Sequence, residues 1–567
     1  MPDLRTFTLW ARERLTEETL NQLEQIYRIH PQTGVPLDIP QGHILKTSEE
    51  ARLRRKRIET LLADEAEAGL SRPQAVAKLV KETAFTHLNR LVAFKLLEAR
   101  KLVRGVLAKH HQANAFKMWL GERPEEEELY NRGDDPNLRD GFGEAPRDRA
   151  YRHFLLWQSA ELAKEIRVLF DTDNVPTLLF PRPAVLKELI VALNDSEREA
   201  DWAPGNEETV GWVYQYFNSE ELERAFAEVR LSGKKFAKED IPSVTQLFTP
   251  RPTVRFLVEN TLGRLWVGMH PDSSLVSRLE YLVSKPKKDA RFPLKAAKEI
   301  LVLDPACGSM HFGLVAFDLL YEMYREEMER AGSPGWPKEP SVSTEAEIPA
   351  AILANNLWGI DIDVRAVQLA ALALYLKAKT KSIETQLTDS NLACADVSLF
   401  RGPHLNKIIN EMQLPRGFTR EQFMRFRDSL EEASQMGTLV RLERHFQKLD
   451  SERLRAAIDA YVAAKRAEGL DESYFANETG KGLRLLAALE RKYDVVFTNP
   501  PYVSARKMNP EMSRFMRAEY GEAKGDLYAG FIQRCLELAA DSGFVGMLTM
   551  HSFMFISSFN RPLKFAP

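Results

Sequence analysis

The second half of the chain repeats one pattern: a short run of β-branched and apolar residues, a tight turn, and an apolar helical stretch. The first copy is Ile300 to Leu303, followed by Asp304 to Ser309 and a helix predicted from His311 to Arg325. The second copy places Leu357 to Asp363 before a helix that runs through Leu376. This order of strand, turn and helix opens a doubly wound α/β sheet, in which ligands sit at the carboxyl ends of parallel strands.

Three more strands are predicted. The third ends at Ala395-Asp396, the fourth ends at Thr498, and the fifth runs from Phe544 to Met550. Residues from about Phe418 to Leu489 have the spacing of long amphipathic helices and interrupt the sheet between the third and fourth strands. We therefore predict an α/β domain over residues 241–567 with a helical insertion at about 400–490.

The first half has a different character. Apolar residues recur at helical spacing from about Glu17 to Ala115, and the helical pattern resumes near Arg152. Between them, the acidic run Glu125 to Glu128 and the segment Gly133 to Pro136 predict an exposed loop. Residues 1–240 are accordingly predicted to form a mainly α-helical domain.

Composition limits the class of protein. A chain of 567 residues that is 44% hydrophobic and 28% charged can bury a large core and form two or three globular domains. Its 3 cysteines never form a Cys-x-x-Cys pair, which argues against disulfides and against a metal cluster, and fits a cytoplasmic protein. No apolar stretch is long enough to cross a membrane, and a net charge of -3 gives no bulk attraction to nucleic acid.

The turn after the first predicted strand indicates which cofactor the sheet could bind. Gly308 is the only glycine in that turn, so the Gly-x-Gly-x-x-Gly of dinucleotide folds is missing, and no Gly-Lys-Ser/Thr phosphate loop occurs. S-adenosylmethionine has no phosphate and needs close backbone approach, which the small residues Ala306, Cys307 and Gly308 permit. Asp361 and Asp396, at the ends of the second and third strands, could accept from its ribose hydroxyls and its adenine amino group; either could instead be a simple strand-end carboxylate.

The tetrapeptide Asn499-Pro500-Pro501-Tyr502 follows the fourth predicted strand and is the most specific signal in the chain. The amino nitrogen of adenine is a poor nucleophile because its lone pair is delocalised into the ring. The Asn499 side-chain oxygen and the Pro500 carbonyl would accept from its two hydrogens, and Tyr502 would stack on the base. Transfer from a sulfonium then depends on positioning and on electrostatic help to the nitrogen, with no strong base. A base in duplex DNA must be flipped out to reach such a pocket.

These motifs, in this order, resemble the gamma class of adenine-specific amino-methyltransferases. The resemblance rests on Phe248-Thr249-Pro250, on Asp304 to Ser309, on Asp361, and on Asn499 to Tyr502. It implies a Rossmann-like S-adenosylmethionine-dependent methyltransferase domain. It also implies that cofactor contacts come from Phe248, Thr249, Pro250, Asp304, Ala306, Cys307, Gly308, Asp361 and Asp396, and that catalysis is by Asn499, Pro500, Pro501 and Tyr502.

A narrower resemblance is to the PglX methyltransferases of BREX phage-defence systems, with the DISARM adenine methyltransferases nearly as similar. It rests on Phe85 to Ala93, Thr245 to Pro250, Val258 to Arg264 and Ser552 to Phe555. This resemblance implies that the chain methylates adenine N6 at specific sites in double-stranded DNA. It also implies that the methylation marks host DNA in a restriction-modification type of antiviral defence, and that the chain works with other proteins of the defence system. Such enzymes usually continue into a target-recognition domain, which we expect to be absent or truncated here, with specificity supplied elsewhere, for instance by a separate subunit.

DNA contact must come from local basic groups. Arg506 and Lys507, just past Tyr502, are the best candidates for phosphate binding; Arg52 to Arg57 and Lys285 to Lys288 are other basic clusters that could equally be solvated faces. Two alternatives stay open. The same pocket could methylate another planar amino group, as in RNA adenine, cytosine or a protein glutamine, or the chain could be a non-catalytic DNA-binding or assembly subunit.

Overall fold

The structure is a computed structural model. It describes residues 3–206, 209–237, 240–245, 249–283, 292–384, 390–399, 402–412, 414–415, 418–446, 451–467 and 473–551. Contacts divide the chain into two compact units: residues 1–217 with 400–408, and residues 218–399 with 409–567. The predicted boundary at residue 240 stays a prediction.

The first unit is helical, as its periodicity predicts. Its helices are α1 (Leu4–Gln25), α2 (Ile44–Thr47), α3 (Glu49–Glu67), α4 (Arg72–Ala99), α5 (Asn114–Gly121), α6 (Pro124–Asn131), α7 (Pro146–Ala163), α8 (Arg167–Phe170), α9 (Val175–Leu178), α10 (Pro183–Leu193), α11 (Glu199–Trp202) and α12 (Thr209–Phe217). Helix α4 begins at a capping box, because the Gln74 amide donates to Ser71 Oγ and the Ser71 amide donates to Gln74 Oε1. One buried cluster in this unit includes Leu23, Ile58, Leu62, Val76 and Leu79.

The prediction of a loop at the acidic run is wrong in part. Glu125 to Glu128 lie in α6, which begins with Pro124 in its first turn and carries three glutamates there. Proline costs nothing at a position whose N–H has no helical acceptor, and carboxylates are stabilised by the positive end of the helix dipole. A charge run that looks like a solvated loop is therefore a favourable helix start.

The second unit contains a five-stranded sheet in which all four neighbouring pairs are parallel. Its strands are β1 (Val302–Asp304), β2 (Leu357–Asp361), β3 (Asn391–Cys394), β4 (Tyr493–Thr498) and β5 (Ala539–Met547), in the order β3-β2-β1-β4-β5. Val302 is the Cα partner of both Leu357 and Val495, so β1 lies at the centre. The prediction of an α/β fold preceded by a helical region is confirmed in this form.

The strand predictions differ from the structure in detail. Strand β3 ends at Cys394, just before the predicted Ala395-Asp396, while β4 ends at Thr498 as predicted. Strand β5 runs from Ala539 to Met547 instead of from Phe544 to Met550, and its pairing with β4 is irregular between Tyr493 and Val495. Asp541, Ser542 and Gly543 lie in this part of β5, and such turn-forming residues do not predict a strand.

The helices of the second unit precede β1 or connect the strands. They are α13 (Ser219–Ser232), α14 (Ile241–Val244), α15 (Arg251–Val258), α16 (Arg264–Met269), α17 (His311–Arg330), α18 (Ile348–Ala351), α19 (Val364–Lys381), α21 (Arg420–Met436), α22 (Leu442–His445), α23 (Ser451–Ala467), α24 (Ser473–Leu489), α25 (Pro510–Glu519) and α26 (Leu527–Leu538). Helix α20 (Gly402–Glu411) comes between α19 and α21 in the chain, and its residues 402–408 are counted with the first unit. Between β3 and β4, where the helical insertion is predicted, the described residues form helices α20 to α24. None of the described helices is both long and apolar enough to cross a membrane.

The order of the strands determines where a ligand site can form. The chain builds β1, β2 and β3 outwards in one direction and then returns to place β4 on the other side of β1. In parallel sheets, the crevice at the carboxyl ends of strands on either side of such a reversal is the usual ligand site. Here the crevice lies at the ends of β1 and β4.

Gly359 on β2 tests how tightly this region is packed. A Cβ there would lie 2.7 Å from Leu392 Cδ2 and 3.1 Å from both Cys307 Sγ and Met310 Sδ. We expect Gly359→Ala to lower the free energy of unfolding by about 1–3 kcal/mol, since overpacking forces neighbours off their rotamers. The measurement is urea unfolding followed by tryptophan fluorescence.

The matched control is Gly480→Ala in α24, where a Cβ meets nothing within 4 Å. Alanine in a helix interior gains about 0.5–1 kcal/mol over glycine, so this variant should be as stable as the native chain or more so. Equal stability of Gly359→Ala and the native protein would contradict the packing described for β2.

Candidate functional site

Four of the residues predicted for the site lie at the same edge of the sheet. Asp304 and Asp361 are the last residues of the adjacent strands β1 and β2, Asp396 lies two residues past β3, and Asn499 directly follows β4. The parallel pairing gathers these groups at one edge, since all the strands end there.

The turn after β1 is held by the carboxyl group that precedes it. Asp304 is 1% exposed, and its Oδ1 accepts from the Ala306 amide at 3.1 Å. The Cys307 amide donates to the Ile360 carbonyl of β2 at 3.0 Å, which ties the turn to the neighbouring strand. Burial raises the pKa of the Asp304 carboxyl to about 7.

Asp361 connects two backbone turns. Its Oδ2 accepts from the Gly308 amide and its Oδ1 from the Asp363 amide, both at 2.9 Å. The side chain is partly exposed, and burial is the main cause that raises the pKa of its carboxyl to about 6. Each carboxylate oxygen keeps a second lone pair, so Asp361 can still accept from a ligand hydroxyl.

Gly308 leaves open space beside these carboxyls. Its φ is +52°, a left-handed conformation that favours glycine, and a Cβ on it would meet nothing within 4 Å. A ligand can therefore approach the backbone of the turn directly. Asp396, at the end of the neighbouring strand, is also partly exposed.

The Asn499 amide is oriented by a residue from far upstream. Asn499 Nδ2 donates to Thr249 Oγ1 at 3.1 Å, and Thr249 is 4% exposed. This contact directs the Asn499 oxygen away from Thr249. Pro250 is exposed at the cap of α15, and Phe248 lies outside the described residues.

Tyr502 is fixed by its hydroxyl. The oxygen lies 2.6 Å from the Leu548 carbonyl and 3.0 Å from Asn499 Oδ1, and its single proton can be donated to only one of them at a time. The ring centroid is 5.7 Å from that of Tyr528. Burial raises the pKa of the Tyr502 phenol to about 12, so it stays a donor at neutral pH.

The segment after the tetrapeptide is held by Asp526, which sequence reasoning missed. Asp526 Oδ1 accepts from the Val503 amide at 3.1 Å, and Ser504 and Asp526 form an antiparallel bridge. Burial raises the pKa of the Asp526 carboxyl to about 6. Its place directly before the apolar helix α26 was a signal that could have marked it as a structural residue.

The two residues predicted to bind DNA have different surroundings. Arg506 is exposed. The Lys507 ammonium lies 5.0 Å from the ring centroid of Phe226 and 5.7 Å from that of Phe236, and the Lys507 carbonyl accepts from the Phe236 amide. Arg506 is thus the freer of the two for a phosphate contact.

Of the two other basic clusters, only the first lies within the described residues. In the first, Arg54 pairs with Glu50 at 2.5 Å and Arg55 pairs with Glu59 at 2.9 Å along α3. The cluster from Lys285 to Lys288 lies outside the described residues. Among the described residues, no group of three or more His, Cys, Asp or Glu side chains is placed to hold a metal ion.

Comparison with known proteins gives one consistent result. The chain is similar to adenine-specific methyltransferases. It is 29% identical over 531 residues to the adenine-specific methyltransferase BrxX of Escherichia coli O9:H4 (strain HS). This alignment covers 86% of this chain and 41% of that protein. It is 28% identical over 600 residues to the adenine-specific methyltransferase PglX of Lacticaseibacillus casei (strain Zhang), covering 98% of this chain and 47% of that protein. The predicted resemblance to PglX is confirmed, although the chain spans less than half the length of these two relatives.

The Eco57I restriction-modification methylase family matches residues 355–566. That range includes β2, the insertion and the tetrapeptide, and it leaves β1 and its turn outside. A solved DrdV-DNA complex aligns with 87% of this chain and 39% of its own, at 14% identity and a TM-score of 0.34.

The raised pKa of Asp304 predicts how stability depends on pH. The folded pKa of about 7 lies above the ordinary value of 3.8, so the folded chain binds more protons than the unfolded chain between these values. Stability from this group therefore falls as the pH rises from about 4 to about 7. In Asp304→Asn, the new side chain is neutral at every pH and can still accept a hydrogen bond from the Ala306 amide. This variant should therefore lose less stability than the native chain as the pH rises from about 4 to about 7.

The measurement is the midpoint of thermal unfolding at pH 4.5 and pH 7.5. Relative to the native chain, the unfolding midpoint of Asp304→Asn should be higher at the higher pH and the same at the lower pH. If both proteins lose stability in parallel, the Asp304 carboxyl is ionised throughout and its surroundings are more polar than described.

Proposed function

We propose that the chain is an S-adenosylmethionine-dependent DNA adenine N6-methyltransferase with a Rossmann-like fold, and that it marks host DNA in a phage-defence system. The observation that carries the proposal is the Asn499 amide, held by Thr249 at the end of β4, beside the turn that follows β1. The similarity to adenine-specific methyltransferases of the PglX and BrxX type supports the same conclusion.

The surroundings of the β1 turn fit the methyl donor. When bound, S-adenosylmethionine supplies a methyl group activated by a cationic sulfonium. Asp304 and Asp361 form no ion pair with any described residue, and burial raises the pKa of both carboxyls. A cationic ligand would stabilise their ionised forms. Open space at Gly308 permits backbone approach, and Asp361 and Asp396 would accept from ribose and from the adenine ring.

The tetrapeptide would hold the target amino group. Thr249 orients the Asn499 amide, so that its Oδ1 and the Pro500 carbonyl can accept the two amino hydrogens. Tyr502 can donate its proton to the Leu548 carbonyl, the shorter of its two contacts, and leave Asn499 Oδ1 to the substrate. Both acceptors stabilise the positive charge that develops on the nitrogen, and the fixed ring of Tyr502 provides a stacking surface.

Double-stranded DNA is the proposed substrate. An adenine can enter this site only after it has left the base stack. Exposed Arg506, four residues past Tyr502, would bind a phosphate near the flipped nucleotide. We further propose that the chain works with protein partners of the defence system.

Asn499→Ala tests the catalytic assignment. It removes one acceptor of the amino hydrogens, so methyl transfer should fall by about a hundredfold or more, while donor affinity changes little. The assay is incorporation of labelled methyl groups from S-adenosylmethionine into genomic DNA from cells without adenine methylation. Asn355→Ala, at an exposed asparagine just before β2, is the matched control.

The outcomes separate the alternatives. Unchanged DNA labelling in Asn499→Ala would contradict the assignment. Labelling of RNA or protein in place of DNA would favour a different planar amino substrate. Donor binding with no transfer to any of these substrates would indicate a non-catalytic subunit.

Asp361→Ala tests the donor site. Loss of its two amide contacts and of the acceptor for ribose should weaken binding of S-adenosylmethionine at least about tenfold in isothermal calorimetry. The exposed carboxylate of Asp541 on β5 offers the control, since Asp541→Ala should bind as the native chain does. Native affinity in Asp361→Ala would place the donor elsewhere.

A further inference from the structure

One turn of the helical insertion contacts the proposed donor site. We call residues 437–440 the insertion turn; they follow α21 and precede α22. Thr438 is 1% exposed, and its Oγ1 donates to the Pro305 carbonyl at 2.5 Å. Pro305 is the residue between Asp304 and Ala306, in the middle of the turn after β1. A side chain from the insertion is therefore hydrogen-bonded to the backbone of the donor site.

The insertion turn is itself held rigidly. Arg534 of α26 is 1% exposed, and its Nε donates to the Thr438 carbonyl at 2.7 Å. Its Nη1 and Nη2 bind the two carboxylate oxygens of Glu443 at 2.7 and 3.0 Å. The Tyr520 hydroxyl donates to the Leu439 carbonyl at 2.7 Å. Thr438 is thus fixed through its backbone before it contacts Pro305.

The same turn lies against the end of β2. Gly437 has a φ of +55°, and a Cβ on it would lie 2.8 Å from Ile362 Cγ2. Ile362 directly follows Asp361. Glycine is required here both by conformation and by the closeness of the approach.

A second side chain of the insertion holds the loop after β3. Glu478 of α24 is 7% exposed, and its Oε2 accepts from the Ser398 amide at 2.7 Å. Ser398 lies two residues past Asp396. The insertion therefore contacts the loops after β1, β2 and β3, which carry the proposed donor ligands.

We propose that the insertion is a positioning element for the methyl-donor site, with Thr438 as the positioning residue of the β1 turn. This inference rests on the proposed function. The Pro305 carbonyl and the Ala306 amide belong to one planar peptide group, so fixing the carbonyl also fixes the N–H. That N–H donates to Asp304 Oδ1 at 3.1 Å. Thr438 thereby fixes the backbone on which Cys307 and Gly308 are placed.

Thr438→Val tests the inference, because valine has nearly the same shape and lacks the hydroxyl. We expect binding of S-adenosylmethionine to the full chain to weaken about tenfold in calorimetry, and amide hydrogen exchange of Ala306 to Gly308 to accelerate at least about tenfold without ligand. In methylation assays, the KM for the donor should rise and the KM for DNA should stay the same. Thr438→Ser keeps a donor and should remain within about threefold of the native affinity.

The matched control is Thr479→Val. Thr479 is 0% exposed and its hydroxyl donates to the Phe475 carbonyl of its own helix, α24, at 2.8 Å. This variant also loses one buried hydroxyl of the insertion, yet it should leave donor affinity and exchange in the β1 turn unchanged.

The results discriminate clearly. Native donor affinity in Thr438→Val overturns the inference and leaves the proposed function standing, whereas failure of the native chain to bind the donor overturns both. If donor binding weakens equally in Thr479→Val, the loss of any buried hydroxyl loosens the insertion as a whole. That result would also overturn the positioning role of Thr438. If Thr438→Val does not fold, Glu478→Ala decides: it should weaken donor binding several-fold, Glu478→Gln should retain it, and native affinity in Glu478→Ala counts against the proposal.

Discussion

Parallel pairing of β1 with β2 and β4 is the constraint on which the site depends. It brings Asp304, Asp361 and Asn499 to one edge of the sheet, although these residues are far apart in the sequence. Backbone amides of the β1 turn then bind the two carboxyl groups, Ala306 to Asp304 and Gly308 to Asp361. If the register slipped by one residue, side chains would move to the opposite face and these contacts would be lost.

Burying carboxyl groups at this edge is costly. Burial disfavours their ionised forms, which is why the pKa values of Asp304 and Asp361 are raised. Backbone amides offset part of that cost. Asp304 and Asp361 form no ion pair with any described residue, and a cationic ligand such as the proposed methyl donor would stabilise their ionised forms.

Two side chains of the insertion are hydrogen-bonded to loops of the sheet. By sequence the insertion interrupts an α/β pattern, and its helices could have formed a separate lobe. In the structure, Thr438 and Glu478 reach the loops after β1 and β3, and Arg534 of α26 ties the insertion turn to a helix that contacts β4 and β5. The insertion turn and α24 are therefore hydrogen-bonded to the loops at the carboxyl ends of β1 and β3.

The sequence alone predicted the strand-turn-helix units, the insertion, and the candidate residues at strand ends, because apolar periodicity and turn residues are local signals. It erred at α6, where a charged run starts a helix, and at the beginning of β5, where the turn-forming residues Asp541 to Gly543 hide the strand. Tertiary structure alone decided that Thr249 orients Asn499, that Lys507 packs on two phenylalanines, and that Thr438 holds Pro305. Those contacts join residues distant in sequence through single hydrogen bonds or ring contacts, and nothing in the local pattern of either partner specifies the other.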